Sequence, residues 1–177
     1  LNLIMNNNSR KTLRMVTQND PSLTTLRMSS FNTDCVSNGD FYSDNSDDYS
    51  TLGAAIANNT HLKKLTVWSS GVLPLSDDLS LTLANRVFYD DLQRNSSISE
   101  LRLYCNGHNI AGGVFQEIWV GQEVLQVYRE NNSQLTFLSI IEANLQNGGD
   151  RVIGDTLRCC RNLQRFDLNN CNITDEQ

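Results

Sequence analysis

Five stretches of the chain repeat one arrangement of apolar and polar positions. They are Leu23-x-x-Leu26-x-Met28, Leu62-x-x-Leu65-x-Val67, Ile98-x-x-Leu101-x-Leu103, Leu135-x-x-Leu138-x-Ile140 and Leu163-x-x-Phe166-x-Leu168. The last two apolar positions of each alternate with polar ones, which predicts a short strand with one buried edge. Between the stretches the period changes to that of a helix. Leu52 and Ile56 stand four apart among Ala54, Ala55 and Ala57, and Leu79, Leu83 and Val87 continue the same spacing. Ser76, Asp77 and Asp78 supply N-terminal caps for the second of these helices. Phe115, Ile118 and Trp119 predict a third helical face, and Ile153, Leu157 and Cys160 a fourth. Polar turns such as Asn58-Asn59-Thr60, Asn95-Ser96-Ser97 and Asn131-Asn132-Ser133 precede the next strand.

The first apolar positions fall at 23, 62, 98, 135 and 163, so the unit recurs at intervals of 39, 36, 37 and 28 residues. One strand-turn-helix unit cannot cover its own leucines and must lie against the next. Asn162 to Thr174 shows the unit most clearly, with Leu163, Phe166, Leu168, Cys171 and Ile173 in order. It resembles a leucine-rich repeat of the ribonuclease-inhibitor type, as does Ile98 to Asn106. Phe31, Ser70 and Ala143 replace the usual Asn or Cys at the turn of other units. The resemblance implies an α/β solenoid, a short horseshoe with parallel strands on its concave face and helices on its convex face. It also implies a scaffold for protein partners, without cofactor. The family spans inhibitors, nucleotide-binding immune receptors, GTPase regulators and ubiquitin-ligase adaptors. A regulatory repeat region of such a multidomain protein is therefore the alternative reading.

Side chains between the strand leucines should point away from the core and form ladders about 4.8 Å apart. One column holds Ser29, Trp68, Tyr104, Ile141 and Asn169. The neighbouring columns hold Thr25, Lys64, Glu100, Phe137 and Arg165, then Arg27, Thr66, Arg102, Ser139 and Asp167. Large amphipathic rings anchor interfaces. The expected partner-binding residues are Trp68, Tyr104, Ile141, Arg27, Lys64, Arg102, Phe137 and Asp167. Against this stands a plain structural reading, in which the rings shield the next turn and Lys64 with Glu100 forms a solvated pair.

Charge narrows the function classes further. The net charge of -6 and the lack of a basic stripe argue against nucleic-acid binding. Asn32 to Ser50 carries five aspartates and no basic residue, and reads as an acidic flexible insertion. It lacks the alternating ligands, central Gly and distant Glu of a calcium loop. No apolar run reaches the roughly 18 to 20 residues of a membrane span. The five cysteines are odd in number and irregularly spaced, which favours a cytoplasmic chain over a disulfide framework. Asn7, Asn58, Asn95, Asn131 and Asn172 begin Asn-x-Ser/Thr triplets, but three mark the same repeat turn and would be glycan acceptors only in a secreted protein.

Catalysis finds no complete constellation. His61 falls in a repeat turn, and Cys105 near His108 has no orienting third group. Cys159-Cys160 reads as one core and one surface residue. Gly112-Gly113 and Gly148-Gly149 lack the phosphate-loop lysine. The expectation is a non-enzyme with no catalytic, metal or cofactor residues. Leu1 to Leu3 and Thr174 to Gln177 look like parts of further repeats, so residues 1–177 read as one domain and a fragment of a longer array.

Overall fold

Each apolar triplet becomes a strand because its leucines can be buried only against the matching leucines of a neighbour. The computed structural model describes residues 5–29, 39–43, 45–68, 90–105, 134–145 and 149–172. The elements run α1 (Asn7–Thr17), β1 (Thr25–Ser29), β2 (Asp40–Phe41), α2 (Ser46–Asn58), β3 (Lys64–Trp68), a 3-10 turn (Leu92–Arg94), β4 (Glu100–Tyr104), β5 (Phe137–Ile141), α3 (Gly149–Cys159) and β6 (Arg165–Asn169). All strands are parallel in one sheet of order β2-β1-β3-β4-β5-β6. The helices expected around Leu79 to Val87 and Phe115 to Trp119 lie outside the described residues, as do Cys35, His108 and the Gly112-Gly113 pair.

The register aligns the repeats without a slip. Leu26 pairs with Leu65, Leu65 with Leu101, Leu101 with Leu138, and Leu138 with Phe166. The four leucines are fully buried, and Val16 of α1, Leu52 and Ile56 of α2, and Ile153 of α3 join them in one core. Strand entry repeats as well. The carbonyls of Thr24, Lys63, Ser99 and Thr136 each accept two backbone N–H groups from the next repeat. This recurrence marks the segments as copies of one unit.

The turns before β1, β3 and β4 are each built from a side chain three residues ahead of the first apolar position. Asn59 Oδ1 accepts from the N–H groups of His61 and Leu62, and its amide donates to the Val16 carbonyl. Asn95 repeats this with Ser97 and Ile98 and donates to the carbonyls of Ile56 and Asn59. In the first repeat Asp20 accepts from the Ser22 N–H and hydroxyl. The Asn95 amide nitrogen is therefore engaged in the interior of the turn and is not presented as a glycan acceptor.

Of the acidic flexible insertion expected over residues 32–50, the structure describes residues 39–43 and 45–50. Asp40 and Phe41 form β2, and α2 begins at Ser46. Asn45 caps α2 by accepting from the Asp47 N–H, and Asp47 and Asp48 occupy its first turn, where the helix dipole favours negative charge. Phe41 meets Tyr49 edge-to-face at 5.1 Å, and both are buried. This short acidic stretch is thus anchored by two aromatic rings.

Helix α1 was not marked by the apolar period, because its buried residues are Ser9, Thr12 and Val16. The two hydroxyls serve β2: Ser9 Oγ accepts from the Tyr42 N–H and Thr12 Oγ1 from the Gly39 N–H. The helix closes in a Schellman turn, with Asp20 N–H donating to Met15 O and Asn19 N–H to Val16 O. Asn19 takes the left-handed conformation this turn requires, at φ 52°.

Candidate functional site: the polar face of the sheet

On the side of the sheet opposite the leucine file, the three expected columns form. Trp68 stands beside Tyr104, and Tyr104 beside Ile141, in one row. The two rings lie 4.5 Å apart between centroids, tilted by 33°. Arg27 lies 5.5 Å over the Trp68 ring and within 3.5 Å of Asp40. The acid partner of Arg27 could not be foreseen, because Asp40 comes from β2, a strand that has no apolar pattern.

A second cluster sits across β4, β5 and β6. Arg102 lies 5.2 Å and Arg165 5.3 Å from the Phe137 ring centroid. The contact of the half-buried Arg102 is worth about 0.5 to 1 kcal/mol. Arg165 also grips Asp167 through two hydrogen bonds of 3.0 and 2.7 Å. These bonds hold the Asp167 carboxyl below its usual range, with the charges of Arg165 and then Arg102 adding to the effect. Lys64 and Glu100 are adjacent as expected, but at 4.0 Å the pair contributes little.

Two residues expected to face outward are instead covered. Thr66 and Ser139 are each 5% exposed. Both flank Arg102 in its row, and their small side chains form the floor between the larger rings and guanidinium groups. The sequence columns place them correctly but carry no information on how far longer neighbours lean over them.

Two donors on this face are shut off from solvent with no hydrogen-bond partner among the described residues: Trp68 Nε1 and Arg102 Nε. Such a group costs about 1 to 3 kcal/mol relative to a bonded one. On the helical side, a groove of about 570 Å³ between α1 and α2 is lined by small and polar side chains such as Thr17, Ser50 and Ala54, with no charged group.

The remaining cysteines and histidine have structural surroundings. Cys105 is buried, and burial pushes its thiol well up, with the neighbouring Cys171 adding. That is the opposite of nucleophile activation. Cys171 Sγ lies 3.4 Å from the Ile140 carbonyl, in the turn where the repeat pattern calls for it. Cys160 is buried and Cys159 half-buried. His61 donates its backbone N–H to Asn59 and is half-buried. No helix among the described residues is long and apolar enough to cross a membrane.

No family model and no curated protein matches the chain. Solved structures do match. The C-terminal domain of tropomodulin from Caenorhabditis elegans is similar over 95% of this chain and 84% of its own, with 12% identity and a TM-score of 0.54. A structure of leiomodin-1 actin-binding site 2 matches over 92% of this chain and 78% of its own, with 17% identity and a TM-score of 0.49. The likeness to the tropomodulin domain is one of fold. It says nothing of the residues on the polar face, which few identities could carry over.

Proposed function

We propose that the chain is a leucine-rich-repeat solenoid of the ribonuclease-inhibitor type whose polar sheet face is concave and binds another protein without catalysis. The observation that carries this reading is the joined set of rings and guanidinium groups on that face. Arg27, Trp68 and Tyr104 lie against one another, and Arg102, Phe137 and Arg165 do the same beside them. Rings and arginines fixed in this way lose little freedom on binding, which is why they dominate interface energetics. Ile141, Lys64 and Asp167 would complete the contact surface. The free thiols of Cys105, Cys159, Cys160 and Cys171 fit a reducing, cytoplasmic setting.

The test is a pull-down from cell extract with the wild type and with a Trp68→Ala/Tyr104→Ala double variant. The double variant should keep its circular dichroism spectrum and lose the principal bound protein. Retention of every bound protein by a folded double variant would overturn the reading.

A further inference from the structure

The row of side chains across the middle of the polar face has a gap in its charge pairing. In order across β2, β1, β3, β4, β5 and β6 it reads Asp40, Arg27, Thr66, Arg102, Ser139, Asp167. The arginines at β1 and β6 each have a carboxylate. Arg27 has Asp40 beside it, and Arg165, one row away, takes both oxygens of Asp167. Arg102 has neither. Its neighbours in the row are hydroxyls, it lies over the Phe137 ring, the charge of Asp167 reaches it only from two strands away, and among the described residues its buried Nε has no acceptor. Among the described residues it forms no ion pair.

The balance of charge points the same way. The described residues of this face include Arg27, Lys64, Arg102 and Arg165 against Asp40, Glu100 and Asp167, an excess of one positive charge, in a chain of net charge -6. The excess is concentrated at Arg102, half-buried between short side chains, where a carboxylate would be partly desolvated and its hydrogen bonds correspondingly strong. Tyr104 lies two residues further along the same strand, about 6.6 Å away, which matches the spacing of alternate residues in an extended segment.

Resting on the protein-binding reading above, we infer that the partner presents an extended acidic segment: a carboxylate side chain docks on Arg102, and an apolar side chain two residues away lies on the Trp68–Tyr104 rings. The carboxylate supplies the acid missing from the middle of the row. Thr66 and Ser139 matter by being small, since a longer side chain at either position would fill the space beside the guanidinium.

A random peptide library displayed on phage, selected on the immobilised chain, tests this directly. Selected peptides should be rich in Asp or Glu two positions from an aromatic or aliphatic residue. Arg102→Gln should weaken them about tenfold, the size of one lost charge-assisted pair. Arg102→Lys should recover part of that loss, and Arg158→Gln on α3 should have no effect. Changing the peptide's acid to its amide should remove the difference between wild type and Arg102→Gln. Peptides that require Trp68 and Tyr104 yet bind Arg102→Gln equally well would overturn the acidic-segment inference and leave the protein-binding reading intact. Selection of basic or purely apolar peptides, or dimerisation of the chain through this face, would also overturn the inference. Peptides indifferent to Trp68, Tyr104 and Arg102 alike would defeat both.

Discussion

Single side chains at the strand entries hold more of this molecule together than their polarity suggests. The Asn95 side chain makes five hydrogen bonds, three as acceptor and two as donor, and joins its own turn to the preceding one. Asn95→Ala would orphan those carbonyls and N–H groups, so it should destabilise by about 2 kcal/mol in urea unfolding. Glu142 is the opposite case. It sits at φ 57° in the turn after β5, where Asn170 takes φ 52° in the turn after β6. Asn tolerates this conformation better than Glu, so Glu142→Asn should stabilise by about 0.5 to 1 kcal/mol in the same measurement. Asp20 brings pH into the turn. The hydrogen bonds from Ser22 hold its carboxyl below the ordinary value of 3.8. A lowered pKa means the contribution is present at neutral pH and lost as pH falls through the folded-state value. Asp20→Asn should therefore flatten the decline in urea midpoint as pH falls below about 4. The triplets containing Asn58 and Asn95 were legible as turns; the exact side chain that builds each turn was legible only once Asn59 and Asn95 were seen at the same distance from Leu62 and Ile98.

At the scale of elements, what could be read from the chain is what the apolar period records. The strands containing Leu26, Leu65, Leu101, Leu138 and Phe166 announce themselves because each must stack on the next, and α2 and α3 do so through Leu52, Ile56 and Ile153. Helix α1 and strand β2 do not, for one shared physical reason. Their contact is made by hydroxyls and backbone, Ser9 to Tyr42 and Thr12 to Gly39, which no hydrophobic pattern reports. The same gap hid Asp40 from the candidate site, although Arg27 was already placed there. Gly39 is the joint of this contact. Its φ is +96°, and a Cβ there would sit 2.5 Å from the Thr25 carbonyl oxygen. Gly39→Ala should cost about 2 kcal/mol or more and release β2 from β1. Hydrogen exchange should then accelerate at residues 39–42, with β3 to β5 protected as before.

For the whole molecule, cohesion runs along the leucine file rather than around a central point. Leu138 is fully buried between Leu101 and Phe166, so Leu138→Asp places an unpaired charge between two repeats. It should cost about 4 kcal/mol or more and abolish the cooperative thermal transition seen by circular dichroism. Burial along the file fades toward its far end. Phe166 is half-buried and Leu168 is 36% exposed, and among the described residues β6 has a neighbouring strand on one side only.

That uneven finish bears on how the isolated chain behaves in a tube. The β2 border is backed by the Ser9 and Thr12 hydroxyls, whereas the β6 border offers a greasy side chain beside a strand with a vacant flank among the described residues. Borders of the second kind are where sheets from separate molecules zip together. Clumping at high concentration should start there, and Leu168→Lys should raise the concentration at which light scattering begins.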